Sequence, residues 1–283
     1  MEREKLIDLH THTCFSDGDL TPNQLVSRAA SKNVGVLGIT DHDTLLGVQS
    51  LNRKVIPNDM WVIDGIELTA KVSKGRMHIL GLGLDIYDKN LNSKMEELQN
   101  NSVYSVISYI NQLKKDYGIM FSTEDIRQLL NTNKNIGRPD LALLCVKYGY
   151  ANSVDDAFNK YLIDVYQKVR PENKGLNYMQ CLELITKAGG IPILAHPHSL
   201  QLSDLELLKL VRDMMNYGLR GLEVYHSHHT QQQTNTYMQM CEELGLLYSG
   251  GSDFHGESVK PDIELGTGKN NILIKKLSVL NHL

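Results

Sequence analysis

Seven short runs of β-favouring apolar residues each carry a histidine or carboxylate at or near their end, and that recurrence limits the folds open to this chain. The first run stops at Asp8-Leu9-His10-Thr11-His12, with Asp17 close behind. The second stops at Thr40-Asp41-His42-Asp43 and the third at Gly65-Ile66-Glu67, while the fourth contains His78. The fifth leads into Ala195-His196-Pro197-His198, the sixth into Tyr225-His226-Ser227-His228-His229, and the seventh into Gly251-Ser252-Asp253-Phe254-His255. Ten of the eleven histidines fall in or just after such a run, His282 in the tail being the exception. A lone histidine is most often a surface or satisfied core residue, and a single His-x-His is a weak signal. The repetition needs an architecture in which strand ends from distant stretches meet. A barrel of mainly parallel strands provides one, because its C-terminal strand ends converge on a single face.

The order of elements agrees with this. A short strand followed by a helical stretch recurs, the pattern of βα units. Strands are expected at 5–9, 35–39, 61–66, 76–82, 191–195, 221–225 and 246–250, the third and fourth joined by a hairpin through Ser73-Lys74-Gly75. Helices are expected at 22–32, 44–53, 203–217 and 231–244, the first with Thr21 as N-cap and Pro22 at its first position. From 94 to 174 the rhythm breaks into helical segments at 94–117, 123–130, 138–147 and 153–162. The expectation is a seven-stranded (β/α) barrel made from 1–93 and 175–283, with 94–174 as a helical insertion over the barrel mouth. The tail, 263–283, holds strand-like pieces such as 271–274.

Within His10-Thr11-His12 the alternation of an extended chain points both imidazoles to one side. Together with Asp17, Glu67 and Asp253 they give a nitrogen and oxygen donor set that suits Zn, Mn or Fe and argues against a thiolate site. Cys14, Cys145, Cys181 and Cys241 form no Cys-x-x-Cys pair and read as free thiols of a reducing cytoplasm, although Cys14 lies inside the polar cluster. A net charge of −4 argues against a broad grip on long nucleic acid and leaves room for a local basic pocket. No run of about 18 apolar residues is present, so no membrane-spanning helix is expected. The apolar stretch at the start is too short for a signal peptide.

At these residues the chain closely resembles the PHP (polymerase and histidinol phosphatase) family of the amidohydrolase-like superfamily. The matching pieces run in order: Asp8-Leu9-His10-Thr11-His12-Thr13 with Ser16-Asp17-Gly18, Ile39-Thr40-Asp41-His42-Asp43-Thr44, Gly65-Ile66-Glu67, Met77-His78-Ile79-Leu80-Gly81, Ala195-His196-Pro197, Gly221-Leu222-Glu223-Val224-Tyr225 and Gly251-Ser252-Asp253-Phe254-His255-Gly256. Gly137-Arg138-Pro139 in the insertion resembles the stand-alone bacterial branch that includes nucleoside 3′,5′-bisphosphate and short-oligonucleotide phosphatases. The resemblance implies a distorted seven-stranded barrel with two to three divalent metals. It implies one ion on His10, His12, Glu67 and Asp253, a second on Glu67, His78 and His196, and a third on Asp17, His42 and His255. Three departures fall in the insertion: Asp140 where the branch has histidine, Leu162-Ile163-Asp164-Val165-Tyr166 in place of a Gly-rich piece, and no arginine over 100–106.

The implied function is a phosphoester hydrolase in which water activated to hydroxide by the metals attacks phosphorus. Its substrate would be small and nucleotide-like, a 3′,5′-bisphosphonucleoside or a short 5′-phosphorylated oligonucleotide. Glu67 and Asp253 sit at the centre of the chemistry, Arg138 is the candidate phosphate clamp, and His229 would donate to phosphate or to the leaving group. Asp41 and Asp43 flank His42 and could orient it, or Asp43 could cap the following helix; His198, His226 and His228 have no assigned task. The alternatives are a histidinol-phosphate-type or other small-molecule phosphatase, a hydrolase of C–N bonds, and a non-catalytic module binding metal or nucleotide. The sequence leaves metal identity and oligomeric state open.

Overall fold

The computed structural model describes residues 4–132, 136–169 and 175–283. The chain divides into two compact units, Met1–Ser93 with Gly175–Leu283, and Lys94–Lys174.

The first unit is built on seven strands: β1 (Leu6–Asp8), β2 (Val34–Ile39), β3 (Trp61–Ala70), β4 (Met77–Leu82), β5 (Ile191–Leu194), β6 (Gly221–His226) and β7 (Leu247–Gly251). They lie side by side in chain order. Neighbours are parallel except for β4, which runs antiparallel to both β3 and β5. The hairpin turn at Gly75, with φ +68°, imposes that reversal. It also explains how His78 reaches the same face as the other ligands. In a reversed strand the N-terminal end is the one beside its neighbours' C-terminal ends, and His78 is the second residue of β4, opposite Thr69 of β3.

The sheet closes through the segments that follow β1 and β7. Leu9 N–H donates to Gly250 O at 3.1 Å, Asp253 N–H to His10 O at 2.9 Å and His12 N–H to Phe254 O at 2.9 Å. This seam requires Gly251: a Cβ there would lie 2.5 Å from both the backbone nitrogen and Cβ of His10. Inside, Ile7, Leu9, Ile63, Leu80, Leu82, Ile191 and Ile193 form one buried cluster. The tail joins that cluster through Ile272, Ile274, Leu277 and Val279. The expected strand at 271–274 is absent; the segment is irregular, although Ile7 N–H donates to Ile274 O at 2.9 Å. Its apolar alternation serves burial in the core rather than strand pairing.

The barrel helices are α1 (Pro22–Ser31), α2 (Leu46–Ser50), α8 (Tyr178–Lys187), α9 (Asp204–Met215) and α10 (Gln231–Leu244). α1 starts where its cap predicts: the Thr21 side chain accepts from Gln24 N–H and Pro22 occupies the first turn. α1 packs on β2, α8 across β3 to β5, and α10 on β6 and β7. α2 is shorter than the expected 44–53, ending at Ser50 ahead of a separate 3₁₀ turn at Arg53–Val55. α8, absent from the sequence expectation, opens with a reciprocal cap between Asn177 and Gln180.

The second unit contains most of α3 (Lys89–Tyr117), then α4 (Thr123–Leu130), α5 (Arg138–Lys147), α6 (Val154–Ala157) and α7 (Ile163–Val169). It has its own core, with Val106, Leu113, Leu141, Ala142, Cys145, Leu162 and Val165 buried. The expected 153–162 helix is two pieces, α6 running through a π-type turn at Phe158–Leu162 into α7.

Candidate metal centre

The ligand-bearing segments are extensions of the strand ladders. Thr40 N–H donates to Thr11 O at 2.9 Å, Glu67 N–H to Asp41 O at 3.1 Å, Asp43 N–H to Glu67 O at 2.9 Å, and Ala195 N–H to His78 O at 3.0 Å. The side chains therefore hang from hydrogen-bonded backbone rather than free loops. Two ligand positions carry positive φ, His196 at 26° and Asp253 at 58°. Such conformations cost about 1–3 kcal/mol each in non-glycine residues and recur at functional sites. The His196 backbone N–H is held in place by Glu223 Oε2 at 2.7 Å.

The nine residues of the implied metal set lie in overlapping groups, with Asp17 and His255 joined to the rest through His12 and His42 and most of the set directly against Glu67, which is fully buried. Its Oε2 lies 3.1 Å from His10 Nε2, 3.2 Å from His12 Nε2 and 3.2 Å from His42 Nδ1. Its Oε1 lies 2.8 Å from His78 Nδ1 and 2.9 Å from His196 Nε2. Asp253 Oδ1 stands 3.2 Å from His12 Nε2 and 3.6 Å from His10 Nε2. On the far side Asp17 Oδ1 is 3.2 Å from His255 Nε2, and Asp17 Oδ2 is 3.8 Å from His42 Nε2. Donors bound to one ion at about 2.0–2.2 Å are separated by distances of this order. His42 and His12 reach two neighbouring groups, so the three sets share ligands more than the sequence implied.

Whether such a site suits metal ions can be tested on its unpartnered atoms. His10 Nε2, His12 Nε2, His42 Nδ1 and Glu67 Oε2 are buried and have no hydrogen-bond partner. Buried polar atoms are normally paired. Here they point at one another, which is what a ligand shell requires. Imidazole and carboxylate donors with no thiolate fit borderline and hard divalent ions. Cys14 is exposed, and burial of its flank together with the Asp41 charge raises its pKa, which opposes a ligating thiolate.

The electrostatics point the same way. Burial alone would raise the Glu67 carboxyl, but His42, His10 and His78 hold it well below the usual range. Burial opposes protonation of His12, yet the carboxylates of Asp253, Glu67 and Asp17 beside it lift it to about 9. The carboxylates thus attract positive charge into the cavity, protons where no cation is bound.

The supporting contacts revise several expectations. Asp41 does not brace His42: its carboxylate accepts from Thr13 N–H at 2.7 Å, Thr13 Oγ1 at 2.7 Å and Ser16 Oγ at 2.6 Å, fixing the loop after β1. Asp43 accepts from Thr69 N–H at 2.8 Å, and the cap position of α2 is Leu45, so the helix-capping role is not realised. His229 does not suit a donor role. Its Nδ1–H is committed to Val224 O at 2.9 Å, and burial with the neighbouring His226 lowers its pKa to about 3, so Nε2 presents a lone pair. It also lies outside the lining of the pocket. Arg138 belongs to the helical unit, where its guanidinium sits 4.2 Å from the Tyr166 ring centroid and 5.7 Å from that of Phe158.

Three side chains without a role in the sequence reading stand beside the cluster. Glu223, fully buried, accepts from His10 Nδ1–H at 2.8 Å and so turns His10 Nε2 toward Glu67. Its position within the buried run Gly221-Leu222-Glu223-Val224 was the available signal. Lys260 Nζ lies 2.6 Å from Asp253 Oδ2. Lys260 and Arg76 line a pocket of about 240 Å³ together with Asp17, His42, His78, His196 and Asp253. Arg76 stands two residues before His78 and Lys260 five after His255, so closeness to the motifs was the available signal, and the fold turns both side chains into the pocket.

The comparisons agree with this geometry. The chain is 29% identical over 266 residues to the 5′-3′ exoribonuclease Rnm of Escherichia coli, covering 92% of this chain and 88% of that protein. It is 26% identical over 255 residues to the 3′,5′-nucleoside bisphosphate phosphatase of Chromobacterium violaceum, covering 88% and 87%. A crystal structure from Bifidobacterium adolescentis, assigned as a metal-dependent phosphoesterase, superposes with a TM-score of 0.72 at 26% identity over 89% of this chain and 88% of that one. The PHP domain model matches residues 8–180, and the chain belongs to the PHP domain family.

Proposed function

We propose that this protein is a metal-dependent phosphoesterase of two to three Mn, Fe or Zn ions, acting in the cytoplasm on a small phosphorylated nucleotide or short oligonucleotide. The observation that carries the reading is the convergence of five imidazoles on the buried Glu67 carboxylate, with Asp253, Asp17 and His255 alongside and the buried nitrogens of His10, His12 and His42 left unpartnered. His10, His12, Glu67 and Asp253 would hold one ion, Glu67 with His78, His42 and His196 another, and Asp17, His42 and His255 with His12 a third. Bound divalent cations supply charge to offset that of the phosphoester and lower the pKa of a water to about 7.

The remaining steps belong to the side chains. Glu67 presents its two oxygens to opposite groups of imidazoles, which suits a bridging ligand. Glu223 fixes the tautomer of His10, and Lys260 steadies Asp253 through the oxygen that faces away from His12. Arg76 and Lys260 line the pocket and offer positive charge to phosphate oxygens. Arg138, braced by Tyr166 and Phe158, is the candidate clamp from the helical unit. Asp140, a departure from the family branch, accepts from Gly137 N–H at 2.8 Å and steadies the start of α5 beside Arg138.

Two relatives, named for an exoribonuclease and a nucleoside bisphosphate phosphatase, support nucleotide-like substrates over other phosphomonoesters. Phosphate release from 3′,5′-bisphosphonucleosides, short 5′-phosphorylated RNA, histidinol phosphate and an amide panel tests the reading with Mn²⁺-loaded protein. Turnover of nucleotides is expected, with a loss of at least about a hundredfold in Glu67→Gln. Unchanged turnover in that variant, or turnover of amides alone, would refute it.

A further inference from the structure

Among the described residues, six buried imidazole nitrogens lack a hydrogen-bond partner. Three belong to the cluster around Glu67: His10 Nε2, His12 Nε2 and His42 Nδ1. The other three are His198 Nδ1, His226 Nε2 and His229 Nε2, on residues that each offer a ring nitrogen within 4.8 Å of the others'. The ring centroids are 5.0 Å apart for His198 and His229, 5.1 Å for His226 and His229, and 5.3 Å for His198 and His226. Burying one such atom unpaired is costly, and turning three toward a common point is more so unless something occupies that point.

We propose that His198, His226 and His229 form a metal site of their own, beside the Glu67 cluster and selective for zinc-like ions. The arrangement of His229 matches a ligand: Nδ1–H donates to the Val224 carbonyl at 2.9 Å, leaving the Nε2 lone pair directed inward. His255 of the main cluster is built the same way, with Nδ1 on the Asp253 carbonyl at 2.9 Å and Nε2 toward Asp17. His198 directs its unpartnered Nδ1 at the same point. His226 is the ligand that completes the site rather than its anchor. Its Nδ1 accepts from His228 N–H at 3.1 Å, so its proton sits on Nε2; to bind an ion as a neutral ligand His226 must shift that proton to Nδ1 and give up the contact with His228 N–H.

No carboxylate belongs to this group; Asp253 Oδ2 stands 3.6 Å from His226 Nε2 and is engaged by Lys260 at 2.6 Å. Three neutral nitrogens favour Zn, Ni or Cu over Mn or Mg, whereas the carboxylate-rich cluster accepts Mn. Three histidines leave a fourth position on a tetrahedral ion, and His198 and His226 both line the pocket, which gives that position access to ligands.

The test uses the full chain, stripped with chelator, refilled with Mn²⁺ and titrated with Zn²⁺, beside a His198→Gln/His229→Gln double variant. The wild type is expected to take up one more zinc per chain than the variant. Crystals of the wild type measured above the zinc edge are expected to show an anomalous peak about 2.1 Å from the three nitrogens. Equal zinc uptake by the two proteins, or zinc peaks confined to the Glu67 cluster, overturns the proposal. The diffraction readout needs no variant to fold, and neither readout depends on the phosphoesterase reading.

Discussion

Glu223 illustrates how a residue that need not touch metal can govern one that does. Its Oε1 fixes His10 and its Oε2 holds the strained His196 backbone, so one side chain orients ligands from two strands. Burial works against its charge, but His10 reverses that and lowers the carboxyl to about 2, so it is ionised throughout the working range. Glu223→Gln keeps the shape and removes the charge. A loss of about 10–100-fold in metal affinity is expected, read by chelator competition. An unchanged affinity would show that His10 needs no carboxylate behind it. His12 gives the pH dependence. Its pKa in the metal-free fold is about 9 against 6.5 for the free side chain. A raised pKa stabilises the fold fully below about 6.5, and that contribution is lost as pH rises through about 9. Metal must displace the same proton, so affinity for metal rises over this interval. Melting temperatures of stripped and Mn²⁺-loaded protein between those limits should diverge with increasing pH; a constant gap would count against a proton held at His12.

At the scale of elements, the amphipathic helices with clear caps were readable to the residue. α4 and α10 begin and end where the periodicity of the sequence sets them, and α5 matches its expected bounds without an apolar stripe, opened by Pro139 in its first turn. The third strand was harder: residues 61–66 read as a strand, yet β3 continues to Ala70, because the hairpin to β4 pairs Glu67 through Ala70. Long-range pairing decides such ends, and a single sequence does not contain it. The metal ligands were legible because their types are unusual at strand ends. Lys260 and Arg76 were not, although each stands within five residues of a motif histidine, because lysine and arginine in loops are ordinary. The closing seam between β1 and β7 was likewise hidden, although it depends on one small residue. Gly251→Ala places a methyl group against His10 Cβ and its backbone nitrogen, both 2.5 Å from the ideal position. Overpacking of this kind costs about 1–3 kcal/mol. Urea unfolding should register that loss, and metal content should fall because His10 and Asp253 meet across the seam. A variant as stable and as metal-rich as the wild type would mean that the seam yields without disturbing the cluster.

For the whole molecule, charge sets the range of substrates. The chain carries 29 lysines and arginines against 33 acidic residues, a net charge of −4. A polyanion gains nothing from such a surface at large, so affinity must come from local cations and from bound metal. The cations at hand in the barrel pocket are Arg76 and Lys260, the latter already engaged with Asp253. Arg138 in the helical unit is the third candidate. Two or three phosphate contacts imply a weak dependence on salt. With a slope of about −0.7 per contact for single strands, raising salt from about 50 to about 200 mM should reduce apparent affinity by about 7- to 20-fold. A track for long RNA, with six or more contacts, would lose about 300-fold or more over the same range. Competition by a dinucleotide, a short 5′-phosphorylated oligomer and a long RNA, each measured at both salts, separates the two. The expected outcome is a shallow and equal salt dependence for all three, since each presents the same few phosphates to the pocket. A slope that steepens with RNA length would require a basic path leading away from the pocket, and would overturn the small-substrate reading while leaving the metal centre intact.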